Sequence, residues 1–505
     1  MRLLSSFGRL DSRNLLKLLI TINIVLAFYQ LISFHFYSPP EACILNIRPS
    51  PLIQDDSSSK QILSSLPDDS KLLRFSSNTQ ITNGGGDKSE SAAVAAVGAA
   101  MIASESLDSP TVQLTYKPKS PWWIPEQRER YIVIRNYILP EAKNPNTYLQ
   151  SANETLDENS VTLTTQGTFE FLNHVESLCK RWDGPISVGV YAPGEDILYS
   201  LELIYFMRSC RHECVLHNVT WHLIYDVGHG PDKDNVTFPE DYVNKMSSTG
   251  TAEFNCQLTY DDFFNKHKDL YRVNNKLPYP INVARNVARL NIKTKYLLAS
   301  DIELYPSLNV VSMFRDLLER EKNNLVPLVN RNVPHVYVLP IFEVKAGLDP
   351  PLTKKDLIKM VKKGDAIFFH KWVCDICQNF PDRDKWIESV PSNDSFDIFR
   401  SAKRTHARST WEPLYIGTNA EPLYEEKLSW EGKRDKMSQM FEMCLLNYDL
   451  LILNNAYLVH APGIKHIDHA DDKKRLPFIK RNNQVYTTVI SKLRRKYIKT
   501  GNKEC

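Results

Sequence analysis

The stretch Lys293–Val310, KTKYLLASDIELYPSLNV, carries an apolar run, Tyr296-Leu297-Leu298-Ala299, that stops at two carboxylates, Asp301 and Glu303. A short apolar run with such bounds reads as a buried strand. Upstream of it, INVARNVARLNI reads as a helix. Before that, VTLTTQ, TFEFLNHVESLCKRW, PISVGVYA, DILYSLELIYFMRSC and VTWHLIYDV alternate strand and helix. Alternating β and α elements imply a parallel sheet covered by helices on both faces. Ligands of such sheets bind beyond the carboxyl ends of the strands. The strand therefore delivers Asp301 and Glu303 to a ligand crevice.

Two carboxylates one residue apart converge if the chain turns between them. Hard divalent cations prefer oxygen ligands and often bridge to a diphosphate. Asp232-Lys-Asp234 and Asp382-Arg-Asp384 share the spacing, but their polar surroundings read as solvated loops. The buried strand before Asp301 sets it apart.

The chain has 505 residues, 42% of them hydrophobic, and a net charge of +3. That length suits one large domain or two ordinary ones, and the charge balance points to no nucleic-acid partner. The basic runs KKRLPFIKRNN and SKLRRKYIK read as solvated helix faces. Leu18–Tyr37 is mostly apolar and long enough to span a bilayer. Arg2, Arg9, Arg13 and Lys17 precede it, and no Lys or Arg follows before Arg48. The positive-inside rule then makes 1–17 a cytosolic tail, 18–37 a transmembrane signal anchor and the rest lumenal. A cleaved signal peptide is the competing reading. Residues 38–120, rich in Ser, Asp and Pro, read as a flexible lumenal stem, and 121–505 as the folded domain. Glycosylation sequons stand at Asn153, Asn218, Asn235 and Asn393. The nine cysteines are an odd number. Some should pair in an oxidising lumen, with connectivity left open. Cys374-Asp-Ile-Cys377 lacks the second Cys/His pair of a zinc site and reads as a disulfide or as buried thiols.

The segments VTLTTQ, CKRWDGPISVGVY, YPINVARNVAR, YLLASDIELYPS, VLPIFEV, WEPLYI and NAYLVHAPG occur in order between about Val161 and Tyr497. Together they resemble glycosyltransferase family 49, the family of β-1,4-glucuronyltransferases and of LARGE-type C-terminal catalytic domains. The resemblance implies an α/β GT-A glycosyltransferase fold, a Rossmann-like mixed, mainly parallel sheet flanked by helices. It implies a UDP-sugar donor, a glycan or glycoprotein acceptor, Mn²⁺ or Mg²⁺, and a single-pass type II protein of the Golgi membrane with its catalytic domain lumenal.

Under this resemblance Asp301 and Glu303 fall on the family's Asp-x-Asp motif, the second acid longer by one methylene. His460 in NAYLVHAPG becomes a third metal ligand, against the alternative of an ordinary core histidine. His466 and His469 read as surface residues. Arg285 and Asn286 border the donor site, where Arg285 could pair with phosphate or carboxylate; otherwise it is an exposed helical arginine. Glu343, in LPIFEV, could orient an acceptor hydroxyl or cap a strand. Family members are regarded as inverting, which calls for a base to take the acceptor's proton. The family's acceptor-loop pattern, Tyr-Asp-x-Arg-Phe then Gly-Phe/Tyr-Gly-Trp-Asn-Lys, falls loosely on Tyr424–Leu428 and Trp430–Lys436. An extra residue precedes Asp435, and Trp430 replaces a glycine. Glu425, Glu426 and Asp435 are the candidate bases, against plain helix-surface charge. The expected activity is metal-dependent transfer of a sugar, glucuronic acid in first place, in protein glycosylation, with O-mannosyl glycans among the acceptors. The alternatives are a UDP-GlcNAc β-1,3-N-acetylglucosaminyltransferase and a catalytically inactive glycan-binding member.

Overall fold

VTLTTQG, Val161–Gly167, is buried at every residue, and the sheet that holds the acids is built out from it in both directions. The computed structural model describes residues 125–142, 160–231, 255–389 and 395–505. The tail, anchor and stem expected over 1–120 lie outside the described residues, as do Cys43, Asn153, Asn235, Asn393 and the Asp232-Lys-Asp234 run. Among the described residues no helix is long and apolar enough to cross a membrane.

The strands are β1 (Pro125–Arg128), β2 (Tyr131–Ile138), β3 (Val161–Gly167), β4 (Ile186–Tyr191), β5 (Val219–Asp226), β6 (Tyr296–Ala299), β7 (Leu304–Pro306), β8 (His335–Leu339), β9 (Ile341–Val344), β10 (Ala366–Phe368), β11 (Asp397–Ala402), β12 (Leu414–Gly417), β13 (Asp449–Asn454) and β14 (Leu458–His460). Ten form one sheet in the order β1-β2-β5-β4-β3-β6-β12-β8-β13-β11, and four form a second, β10-β9-β14-β7. The run β5-β4-β3-β6 is parallel, as is β8 with β13. The other pairings of the large sheet are antiparallel, so the sheet is mixed rather than mainly parallel. The departures have local causes. β1 and β2 form a hairpin, with Glu129 at φ +52°, and a hairpin adds to a sheet edge without a crossover helix. β12 returns from beyond the carboxyl end of β6 and so runs back against it.

The α1 helix (Asp196–Cys210) follows β4, and α2 (Ile281–Leu290) leads into β6. Both fall where the sequence reads as helix. Helix α2 lies against β3 and β4, and Gly189 permits the contact: a Cβ there would sit 2.4 Å from the Ala284 carbonyl oxygen. Large side chains such as Trp221, Phe206 and Phe314 fill the main core. A second core, with Phe342, Trp386 and Tyr457, joins the small sheet to β8 and β13. Burying each such side chain contributes about 1.5–3 kcal/mol. Four disulfides are formed, Cys179–Cys214, Cys210–Cys256, Cys374–Cys377 and Cys444–Cys505, which settles the Cys374/Cys377 alternatives in favour of a disulfide.

Candidate active site

The acids occupy the turn where the chain passes from one sheet to the other. β6 pairs with β3 up to Ala299 opposite Thr164, and Ser300 N–H still donates to Thr164 O at 2.9 Å. Leu304 N–H then donates to Asp301 O at 3.0 Å, and β7 begins in the small sheet. The turn sends the two carboxylates to different partners.

Asp301 faces cations. Arg285 donates from Nη2 to its Oδ1 at 2.7 Å, Gln166 donates to the same oxygen at 3.1 Å, and Lys436 donates to Oδ2 at 3.0 Å. Arg285 also holds Asp435 at 2.9 Å and Asn282 at 2.6 Å. Burial pushes the Asp301 carboxyl up, but Lys436 and Arg285 outweigh it and hold it well below the usual carboxylate range. Burial likewise raises Asp435, and the same two cations bring it below its ordinary value. Burial opposes the charge on Lys436, and Asp301 and Asp435 restore it, so its ammonium stays above the usual lysine range.

Glu303 faces His460. β14 lies antiparallel to β7 with His460 opposite Leu304, and Ala461 N–H donates to Glu303 O at 2.8 Å. The pairing brings His460 Nε2 to 3.8 Å from Glu303 Oε2. His460 Nδ1 is 2.7 Å from Ala461 O. A carbonyl only accepts, so Nδ1 carries a proton, and Nε2 is the ring nitrogen turned towards Glu303. That nitrogen is buried and without a hydrogen-bond partner. An imidazole lone pair beside a carboxylate, with the other ring nitrogen tied to a carbonyl, is a donor set that suits Mn²⁺. Among the described residues no three His, Cys, Asp or Glu side chains form a metal-holding group by themselves. The remaining positions would fall to water and substrate oxygens, as is usual for Mg²⁺-like ions.

The other expected residues are placed as follows. Arg285 is no exposed arginine: its side chain is 1% exposed and fully engaged with Asp301 and Asp435. It is buried because α2 lies between the sheet and the segment 418–436. Asn286 pins that segment, donating to Tyr424 O at 2.9 Å and to Glu426 at 2.8 Å and accepting from Tyr424 N at 3.1 Å; it does not open onto the acids. Glu426 pairs with Arg128 of β1 at 2.6 Å. The Glu425 carboxylate accepts from Lys427 N at 3.3 Å. Neither glutamate joins the Asp301 cluster, and neither is on a helix. Asp435 does join it, but its carboxylate is taken by Arg285. Glu343 is wholly buried, and its two oxygens accept from His370 N at 3.1 Å and Lys465 N at 3.2 Å. It braces two loops and, being fully buried, is out of reach of an acceptor hydroxyl. Asn218 ends a short helix, Cys214–Asn218. His466 and His469 are exposed.

Three groups at the site went unassigned in the sequence. Lys436 stands where the quoted family pattern ends in lysine. Gln166 ends the VTLTTQ strand. Glu412, in WEPLYI, lies just ahead of β12, whose antiparallel register against β6, Ile416 opposite Leu298, carries it to the level of the acids. Burial pushes the Glu412 carboxyl up to about 7 against the pull of Lys436, with Asp435, Asp301 and Arg285 also acting on it. Unpartnered buried atoms mark the same crevice: Gln166 Oε1, Tyr279 Oη and Arg272 Nε.

The loop that brings Asp435 and Lys436 in is held from behind. Lys433 and Arg434 both have left-handed φ, +57° and +60°, a strained pair for non-glycine residues. Asn482, on α3 (His469–Lys496), donates to Ser429 O at 2.9 Å and Lys433 O at 2.8 Å and accepts from Ser429 N at 3.3 Å. Asn482→Ala breaks all three bonds and leaves part-buried backbone groups of Ser429 and Lys433 without their partner, a loss of about 1–2 kcal/mol. The expected result is a lower melting temperature together with a reduced rate; an unchanged melting temperature refutes the pinning role.

Residues 160–498 match the family of glycosyltransferases described as "Glycosyl-transferase for dystroglycan". The match covers most of the chain and shows its family. The chain belongs to that family, glycosyltransferase family 49. It is similar to beta-1,4-glucuronyltransferase 1 of Danio rerio, 30% identical over 307 residues, 59% of this chain and 65% of that one. The Homo sapiens protein of that name is 24% identical over 312 residues, 61% of this chain and 69% of its own length. The xylosyl- and glucuronyltransferase LARGE1 of Homo sapiens is 25% identical over 352 residues, 68% of this chain and 35% of its own. The chain thus spans just under two thirds of the Danio rerio relative.

Proposed function

We propose that this glycosyltransferase moves glucuronic acid from a UDP-linked donor to a glycan acceptor with inversion, as a type II protein of the Golgi membrane anchored by residues 18–37. The observation that carries the reading is the bare, buried His460 Nε2 beside Glu303. The names of the relatives support the choice of donor sugar. Glu303 and His460 would hold a Mn²⁺ or Mg²⁺ ion beside Asp301, with the remaining positions on water and substrate oxygens, and when bound it supplies counter-charge for a leaving nucleoside diphosphate. Arg285, behind the crevice, orients Asp301. Lys436, partly exposed between Asp301 and Asp435, adds positive charge on the crevice side. Glu412 takes the proton of the acceptor hydroxyl as that oxygen bonds to the anomeric carbon. The bond from the anomeric carbon to the diphosphate oxygen breaks, and UDP leaves with its electron pair.

The test is UDP release by the purified full-length chain, with and without Mn²⁺, from UDP-glucuronic acid and UDP-GlcNAc. Release from UDP-GlcNAc alone overturns the donor assignment, and glycan binding without release from either donor identifies a silent member. His460→Ala should weaken Mn²⁺-supported UDP binding by about 1–3 kcal/mol, the range for a lost charge-assisted contact, at an unchanged melting temperature. A lower melting temperature with an unaltered Mn²⁺ titration removes His460 from the site.

A further inference from the structure

The segment that follows β10 carries a group of apolar side chains that folding leaves in water. Trp372 is 52% exposed, Val373 39% and Ile376 59%. They sit on two short turns, Lys371–Cys374 and Asp375–Gln378. The segment is tied down along its length. The Cys374–Cys377 disulfide closes it, and Arg383 holds Asp375 at 2.7 Å. His370 N–H donates to the buried Glu343 at its start. At its end Glu412 N–H donates to Cys377 O at 3.0 Å, and Gln378 Nε2 donates to Glu412 O at 3.2 Å. Just before it, the Phe369 ring stacks on His460 with centroids 5.5 Å apart. The loop therefore spans from His460 to Glu412, and the Trp372 indole stands on it with the Lys371 ammonium 5.3 Å from its ring centroid and half its surface in water.

We propose that Trp372 on this stapled loop is a platform for a sugar ring of the acceptor glycan. The inference rests on the reading of the site as a transferase with Glu412 on the acceptor side. One face of a pyranose presents a patch of C–H groups while its edge carries hydroxyls. That patch matches the electron-rich face of an indole, whose N–H end stays wet. Exposed apolar side chains grouped on one segment mark binding surfaces, and this segment is bonded to Glu412 at one end and follows the Phe369 that stacks on His460 at the other. Val373 and Ile376 extend the apolar surface. A bilayer resting on the same side chains would close the crevice that the loop borders, so the sugar is the occupant chosen.

The experiment uses the full-length chain, saturation-transfer NMR and a panel of methyl β-pyranosides (xyloside, glucoside, galactoside and N-acetylglucosaminide), alongside hydrolysis of UDP-glucuronic acid without acceptor. At least one pyranoside should receive saturation from the wild type. Trp372→Ala should reduce it five-fold or more, Trp372→Phe should retain most of it, and donor hydrolysis should stay within about two-fold. Pyranoside contacts that persist in Trp372→Ala, or none with the wild type, overturn the platform while donor hydrolysis stands by itself. Pyranoside contacts that depend on Trp372 in a chain inert towards UDP-glucuronic acid keep the platform and remove the donor assignment. Binding to phosphatidylcholine vesicles that is lost in Trp372→Ala, with pyranoside contacts intact, assigns the loop to a membrane and overturns the proposal.

Discussion

Glu412→Gln is expected to lower kcat by about 10²–10⁴-fold, the range for losing a positioned general base. The chain should still fold, since the amide keeps the shape and loses only a charge. The pH profile carries the sharper signature. Burial raises the Glu412 carboxyl from 4.5 to about 7, so the wild-type rate should climb as pH passes through about 7, and this limb should vanish in the variant. Stability moves the other way. The folded state binds the proton more tightly than the unfolded one, so this contribution is fully present below about 4.5 and is lost as pH rises through about 7. Glu412→Gln should therefore match the wild type near pH 5 and be slightly more stable near pH 8. A variant within a few-fold of the wild-type rate with the same pH profile means that another group takes the proton.

Arg285→Ala should be the most damaging change to the fold at the site. It leaves two aspartates with Lys436 as their remaining cation and opens space over Tyr424, whose ring centroid lies 4.8 Å from the guanidinium. Removing one partner of a buried ion pair typically costs 3–5 kcal/mol, so a loss of about that size is expected in denaturant or thermal unfolding. Arg285→Lys should recover only part of it, because one ammonium cannot fork between Asp301 and Asp435. Both carboxyls lie below their ordinary 3.8 in the folded state. Their contribution is present above that value and is lost as pH falls through the depressed range. The gap between wild type and Arg285→Ala should thus be widest near neutral pH and narrow in acid. A gap independent of pH assigns the loss to packing.

The alternation from Val161 to Ala299 was legible because the elements there carry local signals: helical spacing of Phe169, Leu172, Val175 and Leu178, a long apolar segment at Asp196–Cys210 and a short apolar run at Tyr296–Ala299. The direction of β12 was not legible, because strand polarity depends on the end at which a distant loop delivers the chain. For the same reason Glu412 went unassigned, since an antiparallel pairing more than a hundred residues downstream sets its place. Arg285 read as exposed because an arginine on an amphipathic helix is ordinarily solvated. Nothing local announces that 418–436 folds over that face of α2. The two acids were visible as a pair, but their division between Arg285 and His460 follows from the turn between the two sheets.

The position of β14 between β7 and β9 also orders events in time. Its two neighbours are made before it, and they remain unbridged until the chain has been extended to residue 460. At about 5–20 residues per second, Glu303 waits on the order of ten to thirty seconds for the histidine beside it. From the time each is made until then, β7 and β9 present short edges open to another strand. The small sheet, and with it the contact between Glu303 and His460, is therefore completed only when Leu458–His460 arrives.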